Sequence, residues 1–282
     1  MVCEMRSLVC VLFAAFLLPF SARAEAQREV HLQYRNGLIW LKVDVSGKSE
    51  PLNFLLDSGA GISAIDLQTA RSLGLHLGNR QTVQGVNGQC FAYRANDFQA
   101  VSGGIVLPKS VLAIDLRGLS DCCEQRVDGI LGVDFFWDRV VQIDFTEGRV
   151  RILAKCDSNL ANCEILPIRL CNDAFCVPVR VAGNPAQWMR LDTGCDSALE
   201  WFVSRTEKRQ KDKTSIGLSG ASIRHIDTSV QIGKQCFSAV TTGIHTKQIF
   251  PGEAGLLGNG LLSKFRLTID EPGNRVIFEN PR

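Results

Sequence analysis

Asn53-Phe54-Leu55-Leu56-Asp57-Ser58-Gly59-Ala60 and, in the second half of the chain, Trp188-Met189-Arg190-Leu191-Asp192-Thr193-Gly194-Cys195 are one phrase written twice. Each is an apolar run that breaks into an acidic residue, a hydroxyl and a glycine. Upstream of each lies a strand-like alternation ending in a glycine turn, Lys42-Val43-Asp44-Val45-Ser46-Gly47 and Pro178-Val179-Arg180-Val181-Ala182-Gly183. Further upstream, Asn36-Gly37 and Asn172-Asp173 hold matching places as hairpin turns. Downstream, Gly129-Ile130-Leu131-Gly132 and Gly255-Leu256-Leu257-Gly258 close 12 residues ahead of Ile-Asp steps at Asp144 and Asp270. Gly148 or Gly273 then turns each copy into Arg149-Val150 or Arg275-Val276. So long an ordered correspondence predicts an internal duplication and two equivalent lobes.

Short strand-like segments between Gly, Asn, Asp and Ser turns make each lobe mostly antiparallel sheet, with few helices, for which Asp66–Leu75 and Ser197–Lys213 are the best candidates. The basic residues of the second segment, Arg205, Lys208, Arg209, Lys211 and Lys213, are interrupted by Glu207 and Asp212 and read as a solvated face. The 282 residues are 45% hydrophobic, which excludes a disordered or fibrous chain, and a net charge of +2 gives no reason to expect a nucleic-acid partner. Arg6, the 13-residue apolar run Leu8–Phe20 and the small residues Ala22 and Ala24 read as a signal peptide over 1–24. That run is too short to span a bilayer, so export to a periplasmic or extracellular space is expected. The division that follows is a first lobe over 25–155, a connecting stretch over 156–165 and a second lobe over 166–282. Past the signal nine cysteines remain, an odd number, and in an oxidising compartment local bridges are expected for Cys171 with Cys176 and for Cys156 with Cys163.

A single Asp-Ser-Gly is an ordinary turn. Two of them, each ending an apolar strand pair, place two carboxylates beside the core, where an unpaired charge is costly. Set face to face across a pseudo-twofold axis, Asp57 and Asp192 relieve that cost by sharing a proton, since two close like charges do not both ionise. One then serves as base and the other as acid toward a bound water, which suits amide hydrolysis without a metal, a cofactor or a covalent intermediate. Ser58 and Thr193 fit as hydroxyls that fix the carboxylates from across the interface. Gly59 and Gly194 permit close backbone approach and donate N–H groups.

With these residues in place the chain resembles the pepsin and retropepsin superfamily of aspartic proteases. Its lobes each carry apolar-apolar-Asp-Ser/Thr-Gly and, later, apolar-apolar-Gly, here Ile130-Leu131-Gly132 and Leu256-Leu257-Gly258. The resemblance covers about residues 30 to 280. It implies an all-β bilobal fold with a few short helices, a single chain of two fused retropepsin-like lobes of bacterial type, and an extended peptide or protein substrate under a flap. By position the flaps are Gly85-Val86-Asn87-Gly88 and Gly217-Leu218-Ser219-Gly220. Neither holds the tyrosine of pepsin-like flaps, and Tyr93 reads as a strand aromatic. The retropepsin Gly-Arg-Asn/Asp step is replaced by Gly132-Val133-Asp134 and Gly258-Asn259-Gly260. Cys195 reads as a small buried hydrophobe or as a redox-active thiol beside the dyad. Asp128, Asp134, Asp144 and Asp270 read as turn or surface carboxylates. His31, His76, His225 and His245 have no metal-ligand or Ser-His-Asp spacing. The expected protein is a monomeric aspartic endopeptidase, and the alternative is a peptide-binding or cell-envelope protein that keeps the fold without the chemistry.

Overall fold

Repeated alternation becomes repeated topology in the computed structural model, which describes residues 28–85, 88–156, 163–204, 213–216 and 222–281. The signal segment, Val86, Asn87, Gly217–Gly220 and residues 157–162 of the connecting stretch lie outside the described residues.

The first half runs β1 (Arg28–Arg35), β2 (Leu38–Val45), β3 (Leu52–Leu56), β4 (Ala64–Asp66), α1 (Leu67–Ser72), β5 (Leu77–Gly85), β6 (Gly88–Ala95), β7 (Ala100–Ser102), β8 (Ile105–Val106), β9 (Val111–Ile114), α2 (Arg117–Cys122), β10 (Gly129–Leu131), β11 (Val140–Asp144) and β12 (Arg149–Leu153). The second runs β13 (Cys163–Pro167), β14 (Arg169–Cys171), β15 (Ala174–Val181), β16 (Gln187–Leu191), β17 (Leu199–Phe202), β18 (Lys213–Ile216), β19 (Ser222–Ile232), β20 (Gln235–His245), β21 (Gly255–Leu257), α3 (Asn259–Leu262), β22 (Arg266–Asp270) and β23 (Arg275–Glu279). The described chain is mostly β. Among the described residues no helix is long and apolar enough to cross a membrane.

Each half builds the same crossing. β10 lies parallel to β3 and antiparallel to β4, and β21 lies parallel to β16 and antiparallel to β17. The strands that end in the acidic turns are thereby held in the middle of a sheet. The first hairpin of each half turns at Asn36-Gly37 (φ 51° and 74°) or Asn172-Asp173 (φ 43° and 61°), all left-handed, as a tight two-residue hairpin requires. β11 pairs antiparallel with β22, and Gln142↔Thr268 is the middle of that register, flanked by Val140↔Asp270 and Asp144↔Arg266. The local twofold therefore passes between Gln142 and Thr268, whose side chains also hydrogen-bond at 3.3 Å. Six strands, β13-β23-β22-β11-β12-β1, run side by side across both halves, and the sheet continues from β1 through β2 into the first half. Above it a continuous core contains Phe54, Phe135, Phe136 and Leu131 from one half and Met189, Leu257, Phe265 and Phe278 from the other. Phe136 meets Phe175 edge-on at 5.9 Å.

Several expectations change. Ser197–Lys213 is not a helix: Leu199–Phe202 forms β17, clamped between β20 and β21, and 205–212 lie outside the described residues. Long-range pairing on both edges overrides the helical spacing of that segment. Cys163–Ile165, expected in the connecting stretch, belong to β13 and pair with β23. The Cys171–Cys176 bridge is absent. Cys171 stands opposite Ala174 and Cys176 opposite Arg169, so the two cysteines are diagonal neighbours and meet through a thiol hydrogen bond instead.

Asp128, Asp144 and Asp270 are not at the surface, being 4%, 5% and 5% exposed. Each accepts a backbone N–H: Asn53 to Asp128 at 3.0 Å, Glu147 to Asp144 at 2.9 Å and Gly273 to Asp270 at 3.0 Å. α1 starts where expected because Asp66 Oδ2 accepts the Thr69 N–H at 3.0 Å.

Candidate active site

The apolar strands β3 and β16 deliver their acidic ends to the same place. Asp57 N–H donates to Leu131 O at 2.9 Å and Asp192 N–H to Leu257 O at 3.0 Å, which pins both turns to the Ile130-Leu131-Gly132 and Leu256-Leu257-Gly258 strands. The next residues lock the turns to each other. Ser58 N–H donates to Thr193 Oγ1 at 2.8 Å and Ser58 Oγ donates to Leu191 O at 2.6 Å. Thr193 N–H donates to Ser58 Oγ at 3.2 Å and Thr193 Oγ1 donates to Leu56 O at 2.9 Å. Both hydroxyl residues are fully buried.

This grip sets the carboxyls of Asp57 and Asp192 in hydrogen-bond contact. Gly59 faces the Asp192 carboxyl and Gly194 the Asp57 carboxyl so closely that a Cβ on either would collide with it. Burial holds the Asp57 carboxyl above the usual carboxylate range, opposed by N–H groups of Gly59 and Ala60 and by the positive charge of Arg190. Burial, and then the adjoining Asp57, raise Asp192 well above its ordinary value against the positive charge of Arg190, and its carboxyl accepts from one N–H, that of Gly194 at 2.9 Å. Such a pair takes up one proton readily and resists losing it.

The residues standing in place of the retropepsin step support these turns. Asn259 is fully buried and donates through Nδ2 to Thr193 O and to Gly37 O, both at 2.7 Å. Asp134 accepts from Ser63 N–H at 2.8 Å and Ser63 Oγ at 2.6 Å, and burial raises its carboxyl. Gly85 pairs with Gly88 at the end of the β5–β6 hairpin, and Gly88 is left-handed at φ 118°. Tyr93 packs against the core. The aromatic that this hairpin exposes is Phe91, 57% exposed opposite Thr82, with the Arg80 guanidinium 4.2 Å above its ring. Cys195 Sγ lies 3.1 Å from Ser197 Oγ, and burial followed by the charge of Asp192 pushes its thiol up, which keeps it protonated.

Sequence reading passed over Arg190. It is 2% exposed, forks onto Glu253 at 2.6 and 2.8 Å, and donates to Gly59 O at 2.6 Å. The signal was visible as a charge inside an apolar strand, where the first half has Leu55. Among the described residues no group of three His, Cys, Asp or Glu is arranged to hold a metal ion. A pocket of about 520 Å³, lined by Asp44, Phe98, Val101, Val106 and Lys109 among others, contains none of the dyad residues.

A duplicated β crossing that sets two aspartates against each other is the architecture of an aspartic-protease-like protein. Residues 41–135 match the aspartyl protease family, from β2 through Asp57 and the Ile130-Leu131-Gly132 strand. Over that stretch, about a third of the chain, the protein is similar to aspartyl proteases of the retropepsin-like kind. No curated protein matches it.

Proposed function

We propose that the protein is an aspartic endopeptidase in which Asp57 and Asp192, one from each lobe, activate a single water against a peptide bond. The observation that carries this reading is the pair of carboxyls in mutual contact, Asp192 buried and Asp57 half-buried, held by four cross-lobe hydrogen bonds from Ser58 and Thr193. A dyad that holds one proton has both partners the reaction needs. One carboxylate takes a proton from water as its oxygen bonds to the carbonyl carbon, and the other gives its proton to the carbonyl oxygen. On collapse of that adduct the proton held by the base passes to the leaving nitrogen, the C–N bond breaks, and a hydroxyl proton of the adduct returns to the other carboxylate, so the dyad is regenerated. Ser58 and Thr193 position the carboxyls, and Gly59 and Gly194 bring N–H groups to them.

The substrate is a peptide or protein segment in extended conformation, lying between the lobes under the β5–β6 hairpin, where Phe91 offers an apolar contact. The protein acts after export, in the periplasm or outside the cell, as a monomer and with no cofactor. Cleavage of a diverse peptide library in ¹⁸O-enriched water tests the chemistry. One ¹⁸O in each new carboxyl, no acyl-enzyme by mass, and inhibition by a statine-type transition-state mimic are expected. A covalent adduct, or cleavage untouched by the mimic, would overturn it. Saturable peptide binding by folded protein without cleavage at any pH would favour a binding protein that retains the fold.

A further inference from the structure

The two lobes solve one packing position in opposite ways. Leu55 and Arg190 both sit two residues ahead of the acidic residue, in register with Ile130 and Leu256 of the neighbouring parallel strand. Val127 and Glu253 both sit two residues ahead of the glycine that starts that strand. In the first lobe Leu55 and Val127 pack with Trp40, Leu116 and Cys123 in a small apolar cluster. In the second lobe the same two places hold a bidentate ion pair, 3% and 2% exposed at the side chains. Asn172 Nδ2 donates to Glu253 Oε1 at 2.7 Å, and the Phe250 ring lies 3.5 Å from the guanidinium carbon.

A buried pair of this kind is weak support for stability, since an apolar pair of similar volume usually does as well or better. The first lobe contains that apolar solution. The remaining bond of Arg190 crosses to the other lobe and lands on Gly59 O at 2.6 Å. Gly59 C=O and Ala60 N–H belong to one peptide group, and Ala60 N–H points at Asp57 Oδ1 at 3.1 Å. A cation on the oxygen of a peptide strengthens the bond its N–H donates. Asp57 therefore accepts from Gly59 at 2.9 Å and from a polarised Ala60 N–H. Ala60 N–H and the matching Cys195 N–H both bond to the main-chain O of their own aspartate, at 3.1 and 3.3 Å, but Ala60 N–H also reaches Asp57 Oδ1, whereas the N–H on Asp192 Oδ1 is that of Gly194 alone.

We propose that Arg190, braced by Glu253 and Asn172, is a positioning residue that makes the two aspartates unequal, so that Asp57 is the carboxylate that accepts the water proton and Asp192 the acid that donates one. This rests on the dyad reading above. Water loses a proton to Asp57 while its oxygen bonds to the carbonyl carbon; the π electrons move to the carbonyl oxygen, which takes the Asp192 proton. On collapse the Asp57 proton passes to nitrogen, the C–N bond breaks, and a hydroxyl proton returns to Asp192. Burial raises both carboxyls and the Arg190 charge opposes it at both, so the inequality is carried by the additional Ala60 N–H on Asp57. The other charged or titratable groups around the pair are Glu253 on Arg190, Cys195 beside Asp192, and Cys176 with Cys171 on the strands behind Arg190.

The test compares the parent with the double variant Arg190→Leu/Glu253→Val, which copies the first lobe and leaves no buried charge unpaired, and with Arg190→Lys. ¹³C-carboxyl NMR of aspartate-labelled protein follows the dyad titration without any substrate, and kcat and KM are measured across pH. In the double variant both dyad steps move to higher pH, the difference between the two carboxyls narrows, and kcat near pH 5 falls about tenfold with KM within about twofold. Arg190→Lys keeps the charge and recovers part of both readouts. A folded double variant with the parent's titration and kcat overturns the proposal; if the double variant does not fold, a folded Arg190→Lys with the parent's titration and kcat overturns it. A parent that cleaves nothing but whose carboxyl steps move as stated removes the peptidase reading and leaves the role of Arg190 standing.

Discussion

Thr193→Val removes one oxygen and almost no volume, and so isolates the cross-lobe grip from packing. Thr193 Oγ1 accepts the Ser58 N–H at 2.8 Å and donates to Leu56 O at 2.9 Å, and the residue is fully buried. Valine leaves a backbone donor and a backbone acceptor of the first lobe without partners in a site closed to water. Each orphaned buried group costs about 1–3 kcal/mol, so the pair of losses comes to about 3 kcal/mol. A domain's whole stability is about 5–15 kcal/mol, so the variant stays folded but is clearly weakened. Thr193→Ser keeps both bonds, loses one methyl, and costs about 1 kcal/mol. Urea unfolding at neutral pH, followed by tryptophan fluorescence, separates the two variants. In activity, Thr193→Val loses kcat more than KM because the carboxyl contact loosens while the cleft walls stay. Thr193→Val within about 0.5 kcal/mol of the parent would refute the view that these hydroxyl bonds hold the lobes in register.

Asp192→Asn abolishes cleavage, yet raises the unfolding midpoint at neutral pH by roughly 2–4 °C, because a neutral amide replaces a buried carboxyl that loses stability as pH climbs toward its ionisation beside Asp57; differential scanning calorimetry reads this. Burial raises both dyad carboxyls in the folded state, so their contribution to stability is full at low pH and is lost as pH climbs through their folded values. Asp57→Asn/Asp192→Asn therefore flattens the fall of stability between mildly acidic and neutral pH, measured by urea midpoints across that range. Gly194→Ala drives a methyl into the Asp57 carboxyl, and activity falls by at least about 100-fold while circular dichroism stays that of a β protein. Phe91→Ala on the exposed face of the β5–β6 hairpin raises KM several-fold with little change in stability, read by steady-state kinetics and thermal melts.

The duplicated crossing was legible because its signals are local: alternation in β2, the Asn36-Gly37 and Asn172-Asp173 turns, and two acidic turns at matched distances from two glycine-ended strands. Asp66 announced the start of α1 for the same reason, a cap that acts within three residues. β17 was missed because nothing within Leu199–Phe202 says strand more loudly than helix; its partners are β20 and β21, more than forty residues on. The buried carboxylates Asp128, Asp144 and Asp270 looked like turn residues and are, but their burial depends on which backbone N–H groups the sheet brings to them. Arg190 stood in plain view as a charge in an apolar run. Its partner Glu253 is 63 residues away, and the bond that gives the pair a purpose ends on the opposite lobe at Gly59. Pairing across the pseudo-twofold is a property of the assembled fold, and no spacing within either repeat encodes it.

That Asp57 and Asp192 work as one unit is tested most directly by kcat/KM for one good peptide, measured across about pH 3–8 in the parent, Asp57→Asn, Asp192→Asn and the double variant. The expected result is a bell-shaped profile in the parent and a loss of about 10⁴-fold or more in each single variant, with the double variant no worse than either. A single variant that keeps a substantial share of the parent's rate, or two losses that multiply, would contradict a shared dyad.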